Sequence, residues 1–300
     1  MGRHYDQGRK TKHQELGHGL PCRHPSCRRS VGFAGLFGKF LFCSPLVIVF
    51  GRTSFAALAL LPLVLVFRSG TTQLCLTRKR MGNYMLMGAL LAVHWSAFFL
   101  SIQISTVALG LLTFSTFPLF VTLLEPLFFK QRIKRQDVIM ALFLFAGLVL
   151  VLPSFDFSQR PVQGALWGIF SGLTFSLLTI FNKRNLVLEP PVRLAFFQNL
   201  FASAAILPVF ALVPQAVPTP GQILLLAILG VVFTALAHTL FISSLRNLRA
   251  ATVSIITCLE PLYGIVLAVI LLGEIPNLRM VVGGTIILSA TLLASLSKDH

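Results

Sequence analysis

The sequence predicts an all-α polytopic membrane protein with ten transmembrane helices, arranged as two inverted five-helix repeats. Of its 300 residues, 55% are hydrophobic and only 11% are charged, whereas soluble domains carry roughly 25% charged residues. The apolar residues fall in blocks of about 20, the length of a helix that crosses the hydrocarbon core of a bilayer. The second half of the chain also repeats a pattern of prolines and polar residues found in the first half.

The apolar blocks define ten predicted spans, of which the first is short or atypical because it contains Lys39 and runs for only 13 residues. In chain order the predicted spans are Val31–Cys43, Pro45–Phe67, Tyr84–Ile104, Val107–Phe129, Val138–Leu152, Val162–Phe181, Val192–Val213, Gln222–Ser244, Ala250–Leu272 and Met280–Leu296. Glycines within the spans are predicted to allow close helix packing. They are Gly147, Gly168, Gly172, Gly230, Gly264, Gly283 and Gly284.

Basic residues in the loops orient these spans, because cytoplasmic loops of membrane proteins are enriched in lysine and arginine. With the N-terminus in the cytoplasm, only Arg160 and Arg279 fall in outer loops. Lys39 and Arg52 lie within spans, which leaves 21 of the 25 basic residues on the cytoplasmic side. This distribution predicts a multi-pass protein of the plasma membrane with both termini cytoplasmic. The net charge of +16 therefore belongs to short loops and to a basic tail, and does not indicate a nucleic-acid-binding domain.

The two halves of the chain are related position by position. The related pairs are Pro45 with Pro191, Pro62 with Pro208, Phe117-Pro118 with Glu260-Pro261, and Gln131 with Glu274. The two prolines of each half are 17 residues apart, and the last two pairs share an offset of 143. Because five spans per half is an odd number, the repeat at 162–296 enters the membrane from the side opposite to the repeat at 31–153. Inverted repeats of this kind are typical of secondary transporters.

Six short motifs follow one another in a fixed order. They are Gly38-Lys39, Arg52 seven residues after Pro45, His94-Trp95, Phe117-Pro118, Glu260-Pro261 and Gly273-Glu274. From about Gly32 onward the chain thereby resembles the EamA-like family of the drug/metabolite transporter superfamily. The resemblance implies a permease for small organic metabolites or drugs, with a central cavity that opens alternately to each side, and it implies efflux. The chain departs from the family at its N-terminus and at Gln131, where relatives usually carry an acid.

Residues 1–30 are polar and basic and are predicted to form a disordered cytoplasmic tail, with 297–300 as the cytoplasmic C-terminus. Cys22, His24 and Cys27, with His4, His13 and His18 nearby, match no known zinc pattern as a set, which favours a tail over a metal site. The repeat places the start of the first helix near His18, in a stretch too polar for lipid. Either this helix is half length, or the start of the chain has been altered and the protein is a non-transporting remnant.

Glu260 lies about ten residues into its predicted span, at mid-membrane depth. A charged group there costs at least about 2.5 kcal/mol, so we expect it to face a partner or a wet cavity. It is either a substrate or proton site, or a structural acid that caps backbone amides near Pro261. Pro118 and Pro261 each remove a helix hydrogen bond and are predicted to be hinges or static kinks.

Other polar residues within the spans are candidates for the substrate pathway. His94 and Trp95 offer a titratable ring and an aromatic face for a planar or cationic substrate; the alternative is a histidine packed against a neighbouring helix. Arg52 pairs with an acid or a helix C-terminus, or attracts an anionic part of the substrate. Asn199 supplies an uncharged polar group at the matching depth of the other half. Lys39 either lines the pathway or extends its amine to the membrane interface.

Motifs for ATP hydrolysis and for common hydrolytic chemistry are absent from the sequence. It contains no nucleotide-binding loop and no H-E-x-x-H or G-x-S-x-G motif, so we expect no cofactor, no metal and no catalytic residues. Transport is then passive or driven by a gradient, for example of protons. An intramembrane enzyme that uses Glu260 and His94 as acid and base is the alternative from another functional class. The predicted partners are a small-molecule substrate and the lipid bilayer, and the oligomeric state stays open.

Overall fold

A computed structural model describes residues 34–66, 77–130, 135–152, 156–247 and 259–296. Its helices are α1 (Ala34–Phe40), α2 (Pro45–Val66), α3 (Arg78–Ile104), α4 (Val107–Phe114), α5 (Phe117–Phe129), α6 (Arg135–Val151), α7 (Arg160–Asn185), α8 (Pro191–Leu212), α9 (Pro220–Gly230), α10 (Ala237–Asn247), α11 (Leu259–Leu272) and α12 (Leu278–Leu296). A π-helical turn, Val231–Leu236, joins α9 to α10. The predicted tail, the C-terminal residues 297–300 and Gln131 lie outside the described residues.

Six stretches within the described ranges are long and apolar enough to cross a membrane. They are Pro45–Val66, Arg78–Ile104, Val107–Phe129, Arg160–Asn185, Pro191–Leu212 and Pro220–Arg246. Shorter apolar helices cover Leu142–Val151, Tyr263–Leu272 and Leu278–Ala290. The first predicted span, Val31–Cys43, contains only the seven-residue α1. The fold is therefore all-helical with several membrane-length helices, and the count of ten spans stays a prediction.

The predicted span Val107–Phe129 is divided into α4 and α5. At the division the Leu111 carbonyl accepts both the Ser115 N–H at 3.0 Å and the Ser115 hydroxyl at 2.7 Å. Pro118 follows in the first turn of α5, where a helix does not use the proline's missing N–H. Pro118 therefore accompanies a break between two helices rather than a kink inside one continuous helix. Its role as a hinge stays a prediction.

Helices α5 and α11 end in the same way. Lys130 follows α5 with φ +55°, and Gly273 follows α11 with φ +68°. This left-handed conformation commonly closes a helix, and only glycine adopts it without steric cost. The two positions are 143 apart, which is the offset predicted for Gln131 and Glu274. The Glu274 carboxylate then accepts a hydrogen bond from the Val107 N–H at 2.8 Å and so caps the start of α4.

Glycines bring helices of the two halves into backbone contact. A Cβ added at Gly88 on α3 would lie 2.4 Å from the Cβ of Phe201 on α8. A Cβ added at Gly230, the last residue of α9, would lie 2.5 Å from the Cβ of Phe55 on α2. The prediction for the seven span glycines is confirmed as well. At each of them an added Cβ would lie 3.0 Å or less from an atom elsewhere in the chain.

Candidate functional site

Arg52 lies on α2 with its side chain fully buried. Its guanidinium carbon stands 3.5 Å from the centroid of the Trp95 ring on α3 and 5.6 Å from that of Phe99. Its Nε donates to the Thr234 hydroxyl at 2.9 Å. A cation over an aromatic face is stabilised by about 2 kcal/mol or more when desolvated, which offsets part of the cost of burying the charge. In this structure Arg52 therefore covers a face of Trp95, which the sequence analysis assigned to a planar or cationic substrate.

Arg52 reaches the second half of the chain at the π-helical turn. Turns of this type widen the helix and are frequent at functional sites. The Thr234 hydroxyl donates to the Leu229 carbonyl at 2.8 Å, so its oxygen is oriented to accept from Arg52. The Nη2 of Arg52 also lies 3.5 Å from the Phe233 carbonyl oxygen. These contacts tie the middle of α2 to the junction of α9 and α10.

His94 is fully buried next to Trp95, inside a group of aromatic rings. Its ring centroid lies 4.7 Å from those of Trp95 and Phe175, and 5.5 Å from that of Phe114. Its Nδ1 lies 2.9 Å from the hydroxyl of Ser171 on α7, so the histidine is bonded to a neighbouring helix. Within the described part of the chain, neither His94 Nε2 nor Trp95 Nε1 has a hydrogen-bond partner. Buried polar atoms are normally satisfied, so these two have capacity for a ligand or a water molecule.

The second half of the chain has a polar contact at the related position. Gln198 on α8 lies with its Oε1 3.1 Å from Nε2 of His238 on α10, and its amide donates to Asn182 Oδ1 on α7. Arg52 and Gln198 are 146 positions apart, which is the offset of the paired prolines. Trp95 and His238 are 143 apart, which is the offset of the later pairs. In both halves, a polar side chain thus contacts an aromatic ring on a neighbouring helix.

Asn199 is fully buried on α8, next to Gln198. Its Nδ2 donates to the Ala195 carbonyl at 2.8 Å, and its Oδ1 has no hydrogen-bond partner in the described ranges. One turn further along α8, the Ser203 hydroxyl lies 2.8 Å from that of Thr53 on α2. Because Thr53 adjoins Arg52, the polar faces of α2 and α8 are in contact near Arg52 and Asn199. The sequence predicts the same membrane depth for these two residues.

Lys39 contacts another part of the molecule. Its Nζ donates to the Ser105 carbonyl at 2.8 Å, where α3 ends before α4. Gln103 at the same junction donates to the Cys43 carbonyl at 2.8 Å. The described hydrogen bond of Lys39 therefore fixes a helix junction, and the structure does not bring this residue together with Arg52 or His94.

Ion pairs join several helix ends. Lys183, near the end of α7, lies with its Nζ 2.7 Å from Oε1 of Glu125 on α5. Glu189, between α7 and α8, lies 3.3 Å from Arg80 on α3 and 3.2 Å from Arg193 on α8. Under the predicted orientation these pairs lie toward the cytoplasm. They connect helices of the first half to helices of the second.

Several of these contacts were missed by the sequence analysis. The tetrapeptide Leu-Glu-Pro-Leu occurs at 124–127 and again at 259–262. This identity could have drawn attention to Glu125, but the two copies do not align at the offset of 143. Thr234 and Ser171 carry no local signal, because their partners lie far away in sequence. The side chains of Glu260 and Pro261 lie outside the described residues, so their roles stay predictions.

Comparisons with known proteins place this chain among transporters. The sequence model of the EamA-like transporter family matches residues 30–152 and again 162–296. An uncharacterized transporter of Archaeoglobus fulgidus is 27% identical over 266 residues, covering 88% of this chain and 92% of that protein. An S-adenosylmethionine uptake transporter of Rickettsia bellii is 25% identical over 251 residues, covering 84% of each chain. One crystal structure shares the fold with a TM-score of 0.63 at 18% identity, covering 85% of this chain and 87% of the other.

Proposed function

Because the chain belongs to the EamA-like transporter family, we propose that this integral multi-pass membrane protein is a secondary transporter of small organic solutes. The observation that carries the proposal is the buried group formed by Arg52, Trp95 and His94. Polar and charged groups within membrane helices are costly and mark substrate or ion pathways. Here they lie where helices of the first half meet the π-helical turn of the second half.

Alternating access between two inverted five-helix repeats is the mechanism that we propose. The family model matches twice in the chain, and the left-handed residues Lys130 and Gly273 follow the predicted offset. The crossings at Gly88 and Gly230 also place related helix pairs in contact across the two halves. These observations support two related repeats, and we propose on the basis of the loop charges that they comprise ten spans with both termini in the cytoplasm of a plasma membrane. A rocking motion of one repeat against the other would expose the buried group to each side in turn.

The pathway that we propose passes Arg52, Trp95, His94 and Asn199. Glu260 on α11 is retained as a proton or substrate site from its mid-membrane position in the sequence. Neutralisation of Glu260 to Gln separates the two roles that remain for it. Loss of transport, or of its pH dependence, supports a role in the pathway, whereas unchanged transport assigns the residue to packing.

The substrate and the direction of transport are tested together. Four Rickettsia relatives are named for S-adenosylmethionine uptake, whereas the family resemblance implies export. We propose reconstitution of the purified protein into proteoliposomes and measurement of influx and efflux of labelled S-adenosylmethionine, amino acids and nucleobases. Saturable movement of at least one solute, absent from protein-free vesicles, is expected. Movement of none of them, under conditions where a reconstituted relative is active, would favour the non-transporting remnant.

A further inference from the structure

We propose that a groove between α6 and α12 binds an acyl chain of an anionic phospholipid from the cytoplasmic leaflet. Helix α6 is the last helix of the first half of the chain, and α12 is the last helix of the second half, so the bound lipid lies between the two halves. The residues that line the groove do not include Arg52, Trp95 or His94. The inference concerns the protein in its membrane and is independent of the solute that is transported.

The two helices are in close contact at one point, and the groove lies beside it. A Cβ added at Gly147 on α6 would lie 3.0 Å from the Gly283 carbonyl oxygen on α12, and one added at Gly283 would lie 2.7 Å from the Gly147 carbonyl oxygen. The groove has a volume of about 280 Å³. It is lined by Met140 and Phe143 from α6, and by Thr285, Ile286, Ser289, Ala290 and Leu293 from α12. The groove therefore extends from the glycine crossing toward the start of α6 and the end of α12.

Hydrocarbon matches the surface of this groove. All of its lining side chains are apolar except those of Thr285 and Ser289, and the Thr285 hydroxyl donates to the Val281 carbonyl of its own helix at 2.8 Å. Phe143 is 55% exposed and Leu293 is 52% exposed, so the groove is open at the surface that faces lipid. Its volume is slightly below the roughly 300–1,000 Å³ of pockets that enclose a drug-sized ligand. A single flexible chain fits such a groove better than a compact solute does.

Positive charge near the start of α6 indicates the headgroup. Arg135 is the first residue of α6, and it precedes Met140 by five residues, which corresponds to about 7.5 Å along a helix axis. The stretch 130–137 contains four basic residues and one acid, and within it Lys130 and Arg135 are exposed. The loop charges predict that this stretch is cytoplasmic. Basic clusters beside a membrane helix attract anionic lipids, so a lipid whose chain occupies the groove has its phosphate on the side of these charges.

Tryptophan reporters test the site in lipid vesicles that contain the full chain. The two native tryptophans are Trp95 and Trp167, and all variants carry Trp167→Phe. Phe143→Trp then places a reporter in the groove, whereas Leu142→Trp places one at an adjacent exposed position of α6 that does not line it. The emission of Trp95, measured in the protein with Trp167→Phe alone, is subtracted. The quenchers are phosphatidylglycerol and phosphatidylcholine with brominated acyl chains, each diluted into unbrominated phosphatidylcholine.

The groove reporter, Phe143→Trp, should show saturable quenching with a preference for phosphatidylglycerol of about 5- to 30-fold, the range for one or two basic residues near the membrane surface. Leu142→Trp should follow the mole fraction of either brominated lipid without preference. Arg135→Gln should lower the preference about 5-fold, whereas Arg160→Gln, at an exposed arginine on the predicted outer side, should leave it unchanged. Ser289→Phe fills the groove and should abolish the saturable component.

Four results overturn the inference. They are equal affinity of the groove reporter for the two lipids, the same lipid dependence at both reporters, persistence of the saturable component in Ser289→Phe, and no quenching of the groove reporter while Leu142→Trp is quenched. The second result assigns the groove to bulk lipid, and the fourth shows that a second copy of the chain or another protein covers it. If Ser289→Phe does not fold, the comparison of the two reporters and the effect of Arg135→Gln still decide.

Discussion

The Arg52–Trp95 contact and the Gln198–His238 contact occupy related positions in the two halves of the chain, yet they differ in charge. In the first half a buried cation lies 3.5 Å from the centre of an indole ring. In the second half a neutral amide lies 3.1 Å from an imidazole nitrogen. The two halves thus share the positions of these contacts but not the charge of the side chains that form them. The difference makes the contact on α2 cationic and the related contact on α8 uncharged.

Replacement of the cation should have the largest effect. Arg52→Gln makes the first contact resemble the second, and we expect the initial rate of solute transport in proteoliposomes to fall about 10- to 100-fold. The reason is the loss of the buried charge together with its contacts to Trp95 and Thr234. Arg160→Gln is the matched control, because it removes an exposed arginine. A rate equal to that of the unmodified protein would assign Arg52 to packing. The difference in charge between the Arg52–Trp95 and Gln198–His238 contacts would then have no role in transport.

The two glycine crossings test whether the halves share a scaffold. Gly88→Ala and Gly230→Ala should each lower the free energy of unfolding by about 1–3 kcal/mol, the usual range for overpacking. The reason is that the new Cβ would lie 2.4–2.5 Å from a phenylalanine Cβ. Gly82→Ala and Gly221→Ala are the controls, since an added Cβ there meets nothing within 4 Å. Thermal unfolding in detergent measures the losses. Destabilisation at one crossing and not at the other would break the structural equivalence.

Loss of the neutral contact should have a smaller effect than loss of the cation. Gln198→Leu removes the hydrogen bonds to His238 and Asn182, which join uncharged groups, and we expect roughly a 2- to 10-fold decrease in transport rate. Gln163→Leu, at an exposed position of α7, serves as the control. A decrease as large as that of Arg52→Gln would show that both halves hold the substrate equally strongly.

The smallest effect is expected at two lysines, Lys39 in the first half of the chain and Lys183 in the second. Lys183 pairs with Glu125 at 2.7 Å, and because its side chain is 28% exposed, solvent screens the pair. A double-mutant cycle of Lys183→Met with Glu125→Gln should give a coupling of about 0.5–1 kcal/mol in the free energy of unfolding. Lys39 bonds to a backbone carbonyl instead, so Lys39→Met and Glu125→Gln should be additive. Coupling between these two would contradict the separate environments described for the lysines.

The sequence predicts the membrane class and much of the helix order, because long apolar blocks and loop charges are local signals. It also locates a break near Phe117-Pro118 and selects Arg52, since a lone arginine within a span is conspicuous. It does not predict which ring Arg52 contacts. That depends on how α2 and α3 pack, and every buried aromatic residue in α3 is an equally good candidate from the sequence.

Tertiary contacts explain the other differences. Trp95 was predicted to offer an aromatic face to a substrate, and Arg52 from a neighbouring helix lies over one of its faces. Lys39 was grouped with the pathway on the basis of charge alone, while its hydrogen bond lies at a helix junction. The pairing of Glu125 with Lys183 joins residues 58 positions apart, and no local pattern indicates it.

The π-helical turn accommodates one residue more than the related stretch of α3 contains. Seven positions separate Gly88 from Trp95 in α3, whereas eight separate Gly230 from His238, and the turn at Val231–Leu236 lies within that interval. An extra residue in a regular helix would rotate everything after it by about 100°. The wide turn compensates for this rotation. Gly230, before the turn, therefore still packs against α2, and His238, after the turn, still contacts Gln198. Shortening this turn by one residue would force the second half to lose one of these two contacts.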